Sequence, residues 1–205
     1  DNIPTKSFFN VPYSSINNDS NYHEDLVRNS LSKNGFNEHY SNSLYPKKYI
    51  HFSNDSNAIK LKNPLSKDLE YLRNSLFPGL LRAISYNLNR NIDYIKLYEI
   101  GSCQLLDKSK YNLSNETRYL NVVWCGSETK HWKYTNHIDI YTVKGDVVLL
   151  FENIGLANIS YVYKKTKILI KANNINLGFI KIFNKNALNS YDINNEVFLL
   201  EINLD

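Results

Sequence analysis

The last quarter of the chain constrains the fold most. Four apolar, β-branched segments follow one another at 159–163, 168–172, 177–183 and 197–204. Val, Ile and aromatic residues fit a pleated, half-buried surface. In the final segment Phe198, Leu200, Ile202 and Leu204 fall on one face by period-2 alternation. A chain with this much sheet must cover its apolar face with other elements. Two further strands are predicted upstream, over 94–106 and 119–125, and a shorter one over 58–61 that breaks at Asn63-Pro64. The stretch 36–44 reads as a strand of mixed polarity.

Three helices supply the cover. The first is predicted over 22–34, with Tyr22, Leu26, Val27 and Leu31 at helical spacing. Asn21 is placed to cap it, Glu24 to close a capping box, and Gly35 to stop it. The second runs over 78–88. Pro78 suits its first turn, and Phe77, Leu80, Leu81, Ile84 and Leu88 form one face. The third runs over 143–154 with Thr142 as its cap and Val143, Val147, Leu150, Phe151 and Ile154 on one side. The reading is an α+β domain, a mostly antiparallel sheet with helices packed on it. Residues 1–18 read as an extended lead-in from a preceding domain, held open by Pro4 and Pro12, and 19–205 as one core domain.

Composition narrows the setting. The chain has 205 residues, 42% of them hydrophobic, enough for a real core. No apolar run approaches the roughly 20 residues that span a bilayer. Asp1-Asn2-Ile3-Pro4 has neither the basic nor the apolar region of a signal peptide, and a chain opening on Asp1 reads as a trimmed or excised piece. Two cysteines make no disulfide framework, so a reducing cytoplasm is the expected location. A formal charge of +4 tolerates a nucleic-acid neighbour without predicting one. The 16 Tyr, the absence of Met and the wealth of Asn fit AT-rich codon usage.

Signals for chemistry are sparse. The seven glycines are scattered singly, so no phosphate-cradling loop is encoded, and there is no nucleophile elbow. Cys125, His131 and His137 are close in sequence but too widely spaced and too few for a zinc site; they read as a polar loop around Trp132. Cys103 and Cys125 fall on predicted strands as packing residues. Arg28, Arg73, Arg82, Arg90 and Arg118 could in principle clamp a nucleotide, although structural ion pairs are the commoner role for arginine. Lys164, Lys165 and Lys167 make a basic hairpin tip, a solvated turn or a contact for RNA phosphates.

One ordered set of motifs is specific. It comprises Asn63-Pro64-Leu65-Ser66, then Leu72-Arg73-Asn74-Ser75-Leu76-Phe77-Pro78-Gly79-Leu80-Leu81, then Asn87-Leu88-Asn89-Arg90, then Tyr98-Glu99-Ile100-Gly101. Lys144-Gly145-Asp146, Gly178-Phe179-Ile180 and the closing segment from Phe198 to Asp205 continue the order. The set resembles the core of the β-chain of bacterial phenylalanyl-tRNA synthetase, with Tyr98 where that family usually has Phe. The resemblance implies a class II synthetase fold, an antiparallel sheet flanked by helices. It also implies pairing with a catalytic α-subunit in an (αβ)₂ assembly. ATP, Mg²⁺ and tRNA(Phe) would be handled by the whole enzyme, with no cofactor or metal held by this chain.

The resemblance assigns an α-subunit interface to Tyr22, Leu26, Val27, Leu31 and Phe36. The periodicity alone does not distinguish that partner from the chain's own sheet. It assigns structural roles to Asn63, Pro64, Arg73, Pro78, Gly79, Glu99, Gly101, Lys144 and Gly145. Gly145, at a helix start, is expected to permit close packing or an unusual φ. Catalytic class II modules carry an arginine shortly after the strand holding Glu99-Ile100-Gly101, where this chain reads Ser102-Cys103-Gln104. They close on a glycine-rich strand, where this chain reads Leu200-Glu201-Ile202-Asn203. The expectation is a core without catalytic residues, in which Arg73 pairs with Glu99.

Overall fold

The computed structural model describes residues 21–52, 57–107, 113–130, 133, 135–184 and 188–205. The lead-in over 1–18, His131 and Trp132 lie outside the described residues.

Among the described residues there are ten strands, in chain order β1 (Asn37–Glu38), β2 (Leu44–Tyr45), β3 (Tyr71–Leu72), β4 (Tyr94–Asp107), β5 (Leu113–Lys130), β6 (Thr135–His137), β7 (Ile159–Tyr163), β8 (Ile168–Ala172), β9 (Ile175–Phe183) and β10 (Val197–Asn203). The helices are α1 (Tyr22–Lys33), α2 (Phe77–Leu88) and α3 (Ile140–Asn153). Eight strands form one sheet in the order β1-β4-β5-β10-β9-β8-β7, with β6 extending β5, while β2 and β3 pair separately. Only β1 runs parallel to its neighbour; the other pairings of the large sheet are antiparallel. The expected α+β architecture is present.

Alternation gives the sheet two faces. Phe198, Leu200 and Ile202 join Val122, Trp124, Tyr98 and Ile180 in a core under α1 and α3. Val197 and Leu199 turn the other way, with Val123, Cys125 and Ile95, and meet Leu80, Leu81 and Ile84 of α2. Short connections keep β7 to β9 antiparallel, since a parallel crossover needs a dozen or more residues. Asn173 and Asn174 both take positive φ, 48° and 66°, and join Ala172 to its partner Ile175. Such two-residue hairpins match the sheet's twist, and Asn accepts the conformation.

The helices end where their chemistry predicts, with two corrections at the starts. Gly35 (φ +80°) closes α1: Phe36 N–H donates to Leu31 O and Gly35 N–H to Ser32 O, the double bond of a left-handed stop. Asn21 does not cap α1 with its side chain, because it already has helical dihedrals. Glu24 is drawn instead to Arg28 and Arg118. The cap of α3 is Asp139, not Thr142; Asp139 Oδ1 accepts from Thr142 N and Oγ1 at 2.7 and 2.8 Å. A carboxylate at that position meets the helix's unpaired N–H groups better than a hydroxyl one turn further in.

Two predicted strands shrink. The stretch 36–44 holds β1 and the first residue of β2, because the residues between them turn to bring Ser41 under Glu99. The segment 58–61 makes a single bridge, Lys60 to Tyr71. In contrast β5 outruns its predicted 119–125, since its polar ends pair with β4 and β6.

Candidate functional site

Side chains from three segments meet on the α2 face of the sheet, near the middle of β4. Glu99 is fully buried and Arg73 nearly so, and Arg73 Nη1 donates to Glu99 Oε1 at 2.7 Å. Arg73 Nε donates to Ser102 O at 2.7 Å. Ser41 gives both its N–H (3.1 Å) and its hydroxyl (2.8 Å) to the same Glu99 oxygen. Tyr45 OH lies 3.1 Å from Ser41 Oγ, and burial, chiefly, pushes that phenol up to about 12. A buried carboxylate is tolerable only when paired and hydrogen-bonded, and here one oxygen takes all of that support. Glu99 Oε2 has no hydrogen-bond partner.

The motif that carries Arg73 is built to hold it. Arg73 N donates to Ser43 O, and Gln104 N donates to Arg73 O, so this segment lies along the outer edge of β4. Asn74 Nδ2 reaches Ile50 O at 3.3 Å, and Ser75 Oγ accepts from Phe77 N at the start of α2. Pro78 sits in the first turn of α2. The two motif glycines are packing requirements. A Cβ on Gly101 would lie 2.3 Å from Arg73 Nη2, and one on Gly79 would lie 2.6 Å from Ser41 Cβ. Both admit the Ser41–Arg73–Glu99 group to close contact with backbone.

The polar character continues across the sheet. Glu99 registers with Asn121, and Asn121 with Glu201, on β4, β5 and β10. Asn121 Nδ2 donates to Glu201 at 3.3 Å, and the buried Asn121 Oδ1 has no partner. Burial raises the Glu201 carboxyl above its ordinary range, against the lowering effects of Asn121, Lys167 and Lys181. Cys103, on the same face, is buried, and burial pushes its thiol up to about 12, as it does for Cys125. Both thiols stay protonated at neutral pH and behave as packing residues.

Beside this group lies a cleft of about 380 Å³ that includes Arg28, Tyr40, Arg73, Ser102, Gln104 and Arg118. Its arginines are occupied. Arg28 bonds Glu24, Asp25 and Glu38, at 2.9 to 3.1 Å, and Arg118 pairs with Glu24. The Arg118 hydrogen bond, first, together with those charges, holds the Glu24 carboxyl below its ordinary range despite partial burial.

The remaining positions singled out from sequence divide clearly. Val27, Leu31 and Phe36 are buried in this chain's own core, so they are not available to a partner. The same helical stripe serves either burial, and the sheet takes it. Tyr22 is exposed and Leu26 is half-buried. Gly145 is exposed, has no atom within 4 Å of an added Cβ, and shows no positive φ, so neither expected reason for it applies. Its neighbour Asp146 is the member of that motif that holds the structure, accepting from Trp124 Nε1 at 2.7 Å and pairing with Lys96 at 2.8 Å. Burial lowers the Lys96 pKa, but Asp146 and then Tyr94 outweigh it and leave it raised. Lys144 donates to Tyr163 OH at 2.7 Å. Asn63 is exposed and Pro64 half-buried, and Ser66 of the same motif starts a short turn, its carbonyl accepting from Leu69 N at 3.1 Å. His137 bonds Ser127 at 2.8 Å.

Ser41, Asn121, Trp124 and Asp146 were missed as site residues. For Asn121, Trp124 and Asp146 the one signal was a polar or indole side chain within a strongly apolar strand or helix; Ser41, in a turn, had none.

A long antiparallel sheet backed by α1 and α3, with a polar patch on its other face, is the architecture of a class II aminoacyl-tRNA synthetase core. Two solved structures of a pyrrolysyl-tRNA synthetase from Desulfitobacterium hafniense share it, at TM-scores of 0.68 and 0.67. They are 16% and 17% identical in sequence, over 89% of this chain and 65% of theirs. The family is narrower than the fold. The model of the phenylalanyl-tRNA synthetase β-chain CLM domain matches residues 5–204, and the chain belongs to that family. The phenylalanine–tRNA ligase β-subunit of Buchnera aphidicola from Acyrthosiphon pisum is 30% identical over 99% of this chain and 27% of its own length. That of Clostridium tetani is 26% identical over 100% of this chain and 26% of its own. The chain thus spans about a quarter of the length of these curated relatives.

Proposed function

We propose that this chain is the non-catalytic core of a phenylalanine–tRNA ligase β-subunit. It acts as a scaffold that pairs with a catalytic α-subunit in an (αβ)₂ assembly. In the cytoplasm the whole enzyme would join phenylalanine to tRNA(Phe) using ATP and Mg²⁺. The observation that carries this reading is the state of Arg73. The arginine in the family's most specific motif lies inside the chain, bound to Glu99 at 2.7 Å and to Ser102 O. A guanidinium so placed holds the fold and is withdrawn from any phosphate.

The rest of the face supports it. Glu99, Asn121 and Glu201 bring acceptors to the centre, where ATP phosphates would need cations or open backbone N–H groups. The residues present do not fit a nucleotide or a Mg²⁺–phosphate complex, and no step runs through one on this chain. Among the described residues no helix is long and apolar enough to cross a membrane.

The test is co-purification with a phenylalanyl α-subunit, followed by amino-acid activation assays on the complex and on each chain. The expected outcome is a stable complex and no activation by this chain alone. Activation by the isolated chain would overturn the scaffold reading.

A further inference from the structure

Two orphaned acceptors lie side by side in the polar stripe. Glu99 Oε2 and Asn121 Oδ1 are buried and have no hydrogen-bond partner. Their residues are fully buried and directly opposite each other on β4 and β5. Strand partners present their side chains on the same face of a sheet. Asn121 Nδ2 is given to Glu201 Oε2 on β10, at a long 3.3 Å. A buried acceptor left unpaired is costly, so the two oxygens call for a donor.

Rotation of the Asn121 amide supplies one. The two ends of that group are nearly alike in size, so exchanging them needs little new space. With Nδ2 given to Glu99 Oε2, Asn121 Oδ1 is left for Glu201. A carboxylate only accepts, whereas a protonated carboxyl has one O–H to donate. The exchanged arrangement therefore requires a proton on Glu201. With it, Glu201, Asn121 and Glu99 join in one directed chain that ends on Arg73.

The partners of the two acids decide which of them carries the proton. Arg73 Nη1, Ser41 N–H and the Ser41 hydroxyl all donate to Glu99 Oε1, a set of donors that suits a carboxylate. Among the described residues Glu201 has the one long bond from Asn121 and no salt bridge. The cations that act on it are Lys167, just before β8, and Lys181 of β9. Each ammonium lies over a ring, Lys167 over Phe179 at 4.6 Å and Lys181 over Phe183 at 4.4 Å. Burial outweighs Asn121 and both lysines and raises the Glu201 carboxyl. Phe179 opposes Glu201 on β9. Cys103 of β4 and Tyr119 of β5 sense its charge, and burial raises both, so neither adds a charge near neutral pH.

We propose that Glu201 is a proton-sensitive switch in this stripe. Protonated, it donates to Asn121 Oδ1, and Asn121 Nδ2 donates to Glu99 Oε2. Glu201 alone of the three keeps some exposure, through which its proton leaves to solvent. Once it is ionised, the amide turns back to Glu201 and Glu99 Oε2 loses its donor. The structure shows this second arrangement. Proton loss on β10 thereby reaches the Arg73–Glu99 pair two strands away. The inference concerns this chain alone and does not depend on capture of an α-subunit.

The test follows the isotope-labelled chain by NMR across pH 4 to 8, reading the glutamate carboxyl carbons and the Asn121 side-chain amide. Glu201→Gln assigns the Glu201 signal. Glu201 should ionise at higher pH than the exposed glutamates, and the Asn121 amide signals should move with the same midpoint. Below that midpoint a through-hydrogen-bond coupling should join Asn121 Nδ2 to the Glu99 carboxyl carbon. Above it, the coupling should pass to Glu201. In Glu201→Gln, whose amide both donates and accepts, Asn121 should stay coupled to Glu99 at every pH. Coupling to Glu201 throughout, the result if an internal water serves both orphaned oxygens, would overturn the inference. So would a late-ionising carboxyl that vanishes in Glu99→Gln but not in Glu201→Gln. The couplings are read in the unsubstituted chain, so they decide the matter even where Glu99→Gln fails to fold.

Discussion

The two faces of the large sheet are built on different principles. Under α1 and α3 the sheet presents Tyr98, Val122, Trp124, Ile180, Phe198, Leu200 and Ile202, an apolar surface with one buried ion pair, Lys96–Asp146, at its margin. Under α2 the apolar part is confined to one end, with Ile95, Val123, Cys125, Val197 and Leu199. At the level of Glu99, Asn121 and Glu201 the same strands turn polar across three neighbours. Hydrophobic burial stabilises both ends, at roughly 25 cal/mol per Å². The middle of the α2 face instead keeps desolvated charge and two acceptors without partners. A fold selected for stability alone has no use for such a stripe. What holds it together is Arg73, which binds Glu99 and Ser102 O.

The comparison breaks first at Arg73. Arg73→Ala would leave Glu99 buried with only Ser41 as donor, and loss of one partner from a buried pair typically costs about 3–5 kcal/mol. Urea unfolding of the variant should show that loss. The double variant Arg73→Met/Glu99→Leu should recover much of it, since apolar replacements of a whole buried pair are often neutral or better. A single-variant loss below about 1 kcal/mol, the range of an exposed pair, would make the polar stripe ornamental rather than structural. Gly101→Ala comes next. Its Cβ would lie 2.3 Å from Arg73 Nη2, so either the guanidinium or the strand must move, at about 1–3 kcal/mol. In the Arg73→Ala background that cost should largely vanish, because the clashing atom is gone; a cost that persists would place the strain in the backbone instead.

The sequence carried much of this fold and less of the site. Alternation in 197–204 and the 3.6-residue spacing of Leu80, Leu81 and Ile84 survive because burial writes them directly into residue choice. The wealth of Asn fits codon usage, yet Asn173 and Asn174 both take the left-handed conformation that the hairpin needs. A bias in codon usage and a turn requirement leave the same letters. The Arg73–Glu99 pair was legible as opposite charges inside a patterned stretch. Ser41 was not, since its contribution depends on a turn that breaks an apparent strand. Val27, Leu31 and Phe36 show the other limit: periodicity says that a face is covered but not which surface covers it.

Glu201 gives the stripe a pH signature. Burial raises its pKa above the unfolded value, so the folded state binds the proton more tightly than the unfolded one. Its contribution to stability is therefore most favourable below the ordinary carboxylate range and is lost as pH rises through the folded value. Glu201→Gln removes that titration and keeps an acceptor for Asn121. The variant should be more stable than the parent near neutral pH, with the gap closing in acid. The apolar face offers the contrast, because Lys96 is raised by Asp146 and its contribution is lost only in strong alkali. Thermal unfolding across pH 4 to 8, with the Lys96→Met variant as control, checks it. Identical pH profiles for parent and Glu201→Gln would remove the carboxylate from the account.

The smallest effect tests whether every motif residue here has an internal role. Gly145 belongs to the same resemblance as Gly79 and Gly101, yet an added Cβ meets nothing within 4 Å and its φ is ordinary. It lies inside α3, where glycine is worse than alanine by roughly 0.5–1 kcal/mol. Gly145→Ala should therefore stabilise the isolated chain by about that amount, opposite in sign to Gly79→Ala and Gly101→Ala. Denaturant midpoints for the three variants decide it. If Gly145→Ala stabilises the chain but weakens capture of the α-subunit, the glycine keeps a surface clear for the partner, and the interface extends to the exposed side of α3. If it stabilises the chain and capture is unchanged, the exposed side of α3 around Gly145 has no part in holding a partner.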